Sequence, residues 1–209
     1  MRVTGKGLER GSATRINPFV YWMVRGAARI FLAPFFELQV SGQENVPRKG
    51  SFILLPKHQR WEDIPLLGLS TPLPLYYVAK NELFTNRLSR WFISTLGGIP
   101  LNRRQPLASR NSIEALVRLL NQGAGVVIFP EGTYYRNCMG AGHAGLIRLI
   151  HSRVEVPFIP VGVGYSGRGA RTLVQVRFGK AVPWGPSAEP ETFLASAMQE
   201  IGVLSGLLP

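Results

Sequence analysis

The chain has 209 residues, which is enough for one sizeable α/β domain and short for two. It carries 24 lysines and arginines against 12 aspartates and glutamates, a formal net charge of +12, and this excess predicts a polyanionic partner such as nucleic acid or an anionic membrane surface. Its one cysteine, Cys138, excludes an internal disulfide and a cysteine-rich metal framework, and it suits a reducing compartment.

The N-terminal region joins a basic arm to an apolar helix. Residues 1–16 are polar and basic and lack the apolar core and cleavage site of a signal peptide. Residues 18–36 place apolar side chains at i, i+3, i+4 and i+7, with Arg25 and Arg29 on another face. We interpret this stretch as an amphipathic helix in the membrane interface, with its arginines toward the headgroups. An ordinary helix packed on the protein core has the same pattern. Residues 1–40 are assigned to this arm and helix.

The rest of the chain alternates between predicted strands and helices. Strands or extended pieces are predicted at residues 37–40, 51–55, 75–79, 99–104, 126–129, 158–165 and 172–178. Helices are predicted after the turn at residue 58 and at residues 84–96, 111–120, 144–150 and 190–204. Asn111 followed by Glu114 predicts a capping box for the helix at 111–120. We therefore expect residues 41–209 to form one α/β domain, with a mixed, mostly buried sheet of about seven strands flanked by helices.

One local pattern points to chemistry. His58 follows a buried strand, and Asp63 comes five residues later. On an ideal helix these side chains would lie roughly 140° apart, so they meet only across a turn between a strand and a helix. Pro56 and Pro65 fit that turn, because proline is tolerated at a strand end and in the first turn of a helix. An imidazole held by a carboxylate is an oriented general base. Taken alone, so short a pattern is more often a surface histidine beside a capping aspartate.

Other candidate sites have less support. Residues 162–167 match G-x-G-x-x-G, but a dinucleotide site needs a helix after the glycines, and here a basic turn and a strand follow. The sequence has no G-x-S-x-G elbow for an acyl-serine mechanism. Cys138 could pair with His143 or His151, yet a lone cysteine is more often inert. The histidines show no metal-ligand spacing, so we expect no metal site.

A second polar cluster follows another buried strand. Residues 129–133 read F-P-E-G-T just past the run at 126–129, and ligand sites of open α/β sheets gather at such carboxyl ends. Four stretches occur in one order: H-x4-D at 58–63, residues 98–103, F-P-E-G-T, and V-P-F-I-P-V at 156–161. In this order they resemble the glycerolipid acyltransferase family that includes 1-acylglycerol-3-phosphate acyltransferase, over roughly residues 50–180.

The resemblance implies an O-acyltransferase that moves a fatty acyl group from a thioester directly to the hydroxyl of a lysophosphatidic-acid-like lipid. It implies that acyl carrier protein or coenzyme A carries the donor as a co-substrate, and we expect no further cofactor. By the same resemblance His58 takes the proton from the attacking hydroxyl, and Asp63 holds the imidazole in the useful tautomer. The residues expected to bind the acceptor are Arg103, Arg104, Glu131, Gly132, Thr133 and Arg136, with Arg103 on its phosphate.

The chain departs from the family pattern near both motifs. Many members have asparagine before the histidine and serine or threonine two residues after it, where this chain has Lys57 and Arg60. The family often reads F-P-E-G-T-R-S-R, but Tyr134 and Tyr135 replace the arginine and serine here, and Arg136 keeps the last position. A charged hydrogen bond is worth about 1.5–3 kcal/mol, so this change puts the acceptor in question and leaves acyl transfer in place.

Two other functions are kept as alternatives. The first is acyl transfer to a different acceptor, such as a lysophospholipid with a headgroup, a glycolipid or a hydroxylated lipid. The second is a non-catalytic basic module that binds membranes or nucleic acid. Aromatic residues are not interleaved with basic ones at nucleic-acid-motif spacing, so we expect no nucleic-acid partner. Our preferred interpretation is a peripheral enzyme on an anionic membrane, at the cytoplasmic face of the cell membrane.

Overall fold

One seven-stranded sheet organises the protein in a computed structural model that describes residues 15–102, 109–184 and 189–209. Its strands are β1 (Phe36–Ser41), β2 (Phe52–Pro56), β3 (Leu75–Lys80), β4 (Gly98–Leu101), β5 (Gly125–Val127), β6 (Phe158–Arg168) and β7 (Arg171–Phe178). The α-helices of the described residues are α1 (Pro18–Leu32), α2 (Asp63–Ser70), α3 (Arg87–Thr95), α4 (Arg110–Asn121), α5 (Ala144–His151) and α6 (Pro190–Leu204).

The sheet is mixed, as predicted. Its strand order is β1-β7-β6-β2-β5-β3-β4, and all neighbours are parallel except the antiparallel pair of β6 and β7. The central strands β2 and β5 are therefore paired side by side, and their carboxyl ends lie at the same edge. Both polar motifs of the sequence follow these two strands, so the topology brings the motifs together.

The two faces of the sheet are buried in separate apolar clusters, as the two-residue period of a strand requires. In β2, Ile53 and Leu55 belong to one cluster, and Phe52 and Leu54 belong to the other. Helices α4, α5 and α6 cover the first face, and α2 covers the second. The predicted α/β class, with helices flanking a mostly buried sheet, is confirmed.

The predicted capping box at Asn111 is wrong. Helix α4 begins at Arg110, with Ser109 at the N-cap position. The Ser109 hydroxyl contacts the backbone N–H and carbonyl of Asn102, at 2.8 and 3.1 Å. Glu114 pairs instead with Arg110, one helical turn earlier, at 2.9 Å. The start of α4 is thus fixed by a contact with the end of β4, which local spacing does not reveal.

The glycine-rich stretch at 162–167 lies within β6, and a turn and β7 follow it rather than a helix, as the sequence predicts. A glycine is nevertheless required at one of these positions by packing. A Cβ atom on Gly162 would lie 2.3 Å from the carbonyl carbon of Leu204, at the end of α6. The missing side chain therefore allows α6 to pack directly against β6.

Helix α1 does not pack as an ordinary core helix. Within α1, which is described throughout, Tyr21 is the one buried residue. The Arg25 guanidinium donates to the carbonyls of Gly68 and Leu69 at the end of α2, so its predicted orientation toward headgroups is wrong. Those carbonyls have no partner within their own helix, which makes them natural acceptors for a cation. None of the helices in the described ranges is long and apolar enough to cross a membrane.

Candidate active site

The turn between β2 and α2 brings His58 and Asp63 together. Strand β2 ends at Pro56, and Asp63 is the first residue of α2. His58 Nδ1 lies 3.1 Å from Asp63 Oδ2, and both side chains are buried or nearly so. This is the strand-to-helix geometry that the five-residue spacing predicts.

The Asp63 carboxylate is held by donors on both oxygens. Oδ2 accepts the backbone N–H groups of Gln59 and Arg60, at 2.6 and 2.8 Å, in addition to His58 Nδ1. Oδ1 accepts the hydroxyl of Tyr165. A carboxylate is an acceptor, so the imidazole carries its hydrogen on Nδ1 and presents Nε2 as a base.

The His58 ring is also fixed by aromatic neighbours. Phe129 stacks on one side, with ring centroids 3.8 Å apart and an interplanar angle of 23°. Tyr134 meets the ring edge-on at a centroid distance of 4.4 Å. Both aromatic residues come from the segment after β5, so the F-P-E-G-T motif helps to orient the histidine that follows β2.

A buried ion pair joins the two motifs beneath the histidine. Lys57 Nζ lies 2.9 and 2.8 Å from the two carboxylate oxygens of Glu131, and neither side chain is exposed. The ammonium also donates to the carbonyls of Tyr135 and His58, at 2.8 and 3.2 Å. Glu131 further accepts the N–H groups of His58 and Gly140, at 3.0 and 2.6 Å. Both carboxylate oxygens of Glu131 are thus engaged by protein donors, which tie the loops after β2 and β5 together.

The remaining predicted binding residues have different positions. Gly132 has a φ of 72° and forms a tight turn through its N–H and the Phe129 carbonyl. Thr133 and Arg136 are exposed near this turn. Arg103 and Arg104 lie outside the described residues.

A cavity of about 1040 Å³ opens beside the F-P-E-G-T segment. Its apolar lining includes Leu101, Ile113, Ile128, Phe129, Leu146 and Leu149. Glu131, Gly132 and Thr133 also line it, and Phe129 is shared between the cavity and the His58 ring. An apolar space of this size, with a few polar groups at its wall, is suited to a lipid chain.

Two side chains of the site were not singled out from the sequence. Tyr165 reaches Asp63 from β6, and its pKa is raised mainly by burial and then by the neighbouring carboxylate. Gln59 donates to the Val163 carbonyl at 2.7 Å and accepts the Asn137 N–H at 2.8 Å. Both contacts join distant parts of the chain, so spacing carries no signal for them. For Lys57 the sequence did carry a signal, because this lysine stands where the family pattern has asparagine.

The comparisons with known proteins agree with this architecture. The family model described as Acyltransferase matches residues 37–164, which is more than half of the chain. The chain belongs to the Acyltransferase family. The expectation of an O-acyltransferase related to the 1-acylglycerol-3-phosphate acyltransferases is therefore confirmed.

The chain is also similar to named acyltransferases. A 1-acyl-sn-glycerol-3-phosphate acyltransferase of Bacillus subtilis is 28% identical, over 87% of this chain and 80% of its own. A lyso-ornithine lipid O-acyltransferase of Pseudomonas aeruginosa is 32% identical, over 65% of this chain and 48% of its own. The crystal structure of the Thermotoga maritima 1-acyl-sn-glycerophosphate acyltransferase PlsC superposes with a TM-score of 0.68 at 25% identity, and the match covers 90% of this chain and 78% of that one.

The Lys57–Glu131 pair gives a direct test of how the two motifs are held. Lys57→Met is expected to lower the free energy of unfolding by about 3–5 kcal/mol, because it leaves the buried Glu131 charge without its partner. Urea unfolding followed by circular dichroism measures the change. Adding Glu131→Gln to Lys57→Met should recover part of the loss, since it removes the unpaired charge.

The matched control is Arg110→Met, which breaks the exposed pair with Glu114 and should cost less than about 0.5 kcal/mol. Equal losses in the Lys57 and Arg110 variants would show that the buried pair does not hold the motifs together.

Proposed function

We propose that this protein transfers a fatty acyl group from an acyl thioester to the hydroxyl of a lysophosphatidic-acid-like lipid. The observation that carries the proposal is the His58–Asp63 pair, whose imidazole stacks on Phe129, a residue that lines the apolar cavity. The names of the relatives support the acceptor class, since most are 1-acyl-sn-glycerol-3-phosphate acyltransferases.

In the proposed reaction, His58 Nε2 takes the proton of the acceptor hydroxyl as its oxygen attacks the thioester carbonyl carbon. The new carbon–oxygen bond gives a tetrahedral intermediate, and its collapse breaks the carbon–sulfur bond. The imidazolium then returns the proton to the leaving thiolate. Asp63 stabilises the imidazolium, and its multiple donors keep the carboxylate in place while the charge on the ring changes.

The acyl chain is proposed to occupy the cavity beside the F-P-E-G-T segment. Its lining comes from β4, from the segment after β5, and from α4 and α5. The donor carrier is proposed to be acyl carrier protein or coenzyme A, and both are included in the experiment below. A chain bound in this apolar space would bring its thioester to the edge of the sheet where His58 lies.

The mechanism is tested by turnover of purified variants with acyl-coenzyme A and acyl–acyl carrier protein as donors. His58→Ala is expected to abolish measurable transfer, a loss of about 10²- to 10⁴-fold. Asp63→Asn is expected to lower turnover by less than His58→Ala does, but still by a large factor, because the side-chain shape is kept and the charge is lost.

The control is His151→Ala, since His151 stacks on Trp184 at 3.8 Å and takes no part in the proposed chemistry. Turnover in His58→Ala that matches the wild type, in a protein with an unchanged melting temperature, would contradict the mechanism.

A second acceptor class is favoured by the residues next to the base. Tyr134 stands where the family often has arginine, and its ring meets the edge of His58. A phenol ring offers no cation to a phosphate. One relative is a lyso-ornithine lipid O-acyltransferase, so the family accepts more than one headgroup. The alternative is therefore acyl transfer to a lyso-lipid without a terminal phosphate.

Tyr134→Arg separates these acceptors. We expect it to raise kcat/KM for lysophosphatidic acid, relative to a lyso-lipid with a zwitterionic headgroup, by about 10-fold or more, because it adds a charged hydrogen bond. The measurement is a panel of lyso-lipids with one acyl thioester. Tyr134→Phe is the control and should keep the wild-type preference. Equal selectivity in the arginine variant and the wild type would place acceptor recognition elsewhere.

The protein is also proposed to act as a peripheral enzyme on an anionic membrane, at the cytoplasmic face of the cell membrane. Large apolar side chains of α1 are exposed, including Phe19 at 72% and Ile30 at 73%. Phe35, just after the helix, is exposed as well. Exposed side chains of this size on an amphipathic helix fit the interface of a bilayer, and the net charge of +12 favours anionic lipids.

Helix α3 extends this apolar surface. Its Leu88 is 74% exposed, Trp91 and Phe92 are also exposed, and none of its residues is buried. Helix α3 ends beside the start of α1, where the Asn17 N–H donates to the Thr95 carbonyl at 3.0 Å. The apolar side chains of α3 therefore form part of an outer surface that adjoins α1.

Vesicle binding tests both helices. Phe19→Glu and Leu88→Glu are each expected to weaken binding to vesicles of phosphatidylglycerol and phosphatidylcholine by about 10-fold, because each removes an inserted side chain and adds a negative charge. Val203→Glu is the matched control, since Val203 is an exposed apolar residue on α6. Co-sedimentation with the vesicles gives the bound fraction. Equal weakening in all three variants would mean that charge alone governs the attachment.

A further inference from the structure

Tyr165 extends the His58–Asp63 pair to a third side chain. It lies on β6 and donates its hydroxyl hydrogen to Asp63 Oδ1. The other contacts of this carboxylate, from His58 and from two backbone N–H groups, all reach Oδ2. Among the described residues, Tyr165 thus supplies the hydrogen bond that holds the second oxygen.

The hydroxyl of Tyr165 is suited to remain a donor. Burial raises its pKa, the Asp63 carboxylate raises it further, and Glu62 acts in the same direction. The Arg60 guanidinium acts in the opposite direction and is the weakest of these influences. The phenol therefore stays protonated across the pH range in which a histidine works as a base.

Tyr165 is held both through its backbone and through its ring. Its backbone is paired with Val174 in the antiparallel ladder of β6 and β7. The Arg60 guanidinium lies 4.5 Å above the ring centroid, within the range of a cation–π contact. Arg60 occupies the position where many family members have serine or threonine, so the departure from the family pattern touches the same group.

We propose that Tyr165 is a positioning residue for acyl transfer, which sets the plane of the Asp63 carboxylate and through it the orientation of the His58 ring. The physical reason is the soft terminal torsion of aspartate, which permits rotation of the carboxylate when one oxygen is held. A hydrogen bond to Oδ1 removes that freedom. The proposal rests on the proposed function, in which His58 is the general base.

The kinetic test compares two single-oxygen deletions. Tyr165→Phe is expected to lower kcat about 10-fold and to leave KM within about twofold, because the proposed role of Tyr165 is exerted through Asp63 and not through substrate binding. Tyr77→Phe is the matched control, since the Tyr77 hydroxyl also donates to α2, at the Ile64 carbonyl 3.2 Å away, without contacting Asp63. Its kcat should be unchanged. Equal kcat values in the two variants overturn the proposal.

A double-mutant cycle shows whether Tyr165 acts through Asp63. In an Asp63→Ala background, Tyr165→Phe should lower the residual kcat by less than about twofold, because the group that it positions is gone. The same 10-fold loss in that background would overturn the proposal. If Tyr165→Phe fails to fold, Arg60→Gln takes its place in the cycle. This substitution removes the cation above the Tyr165 ring and keeps the hydroxyl, and it is expected to lower kcat about threefold.

A spectroscopic readout separates this inference from the proposed function. The His58 Nδ1–H proton can be identified in the NMR spectrum by its loss in His58→Ala. Tyr165→Phe should shift or broaden this resonance, and Tyr77→Phe should leave it unchanged. A wild-type protein that transfers no acyl group would refute the proposed function, while this resonance would still test the link from Tyr165 to His58. An unchanged resonance in Tyr165→Phe would refute that link.

Discussion

The site depends on one buried ion pair, between Lys57 and Glu131. Burying two charges is costly, and their attraction offsets the cost only when further hydrogen bonds satisfy both groups. Here the ammonium has two backbone carbonyl acceptors besides the carboxylate, and the carboxylate has two backbone N–H donors besides the ammonium. These backbone partners belong to the loops after β2 and β5. The pair therefore fixes both loops at the sheet edge, and His58 takes its place between them.

Two carboxylates lie close to His58, and their charges are balanced in different ways. Glu131 is neutralised by Lys57, so its negative charge is matched by an adjacent positive one. Within the described ranges, Asp63 pairs with no lysine or arginine, and its partners are two backbone N–H groups, the Tyr165 hydroxyl and the imidazole. The two carboxylates therefore differ in their partners: Glu131 is paired with a buried ammonium, and Asp63 is held by hydrogen bonds that also fix the imidazole. A site with both carboxylates unpaired would also carry a large desolvation cost.

Local patterns in the sequence predicted what depends on local structure. The strands, most helices and the His58–Asp63 turn follow from periodicity, proline positions and a five-residue spacing. Tyr165 could not be found in this way, because it lies 102 residues from Asp63 and reaches it only since β6 is the neighbour of β2. Helix α3 is a second example. The helical spacing of its apolar residues predicts that they share one face, but it does not predict whether the protein core or another surface covers that face. The wrong cap at Asn111 also reflects a contact between separate elements.

The departures from the family pattern lie around His58. Lys57 lies beneath it in the ion pair, Arg60 lies over the ring of Tyr165, and Tyr134 meets the edge of the imidazole. The Lys57 side chain is fully buried, and Arg60 packs on Tyr165, which contacts Asp63, so both are expected to affect how the His58 ring is held. Tyr134 is half exposed and contacts His58 directly. Of the three it is the most exposed side chain, so a difference in acceptor between this protein and its relatives is expected to arise there.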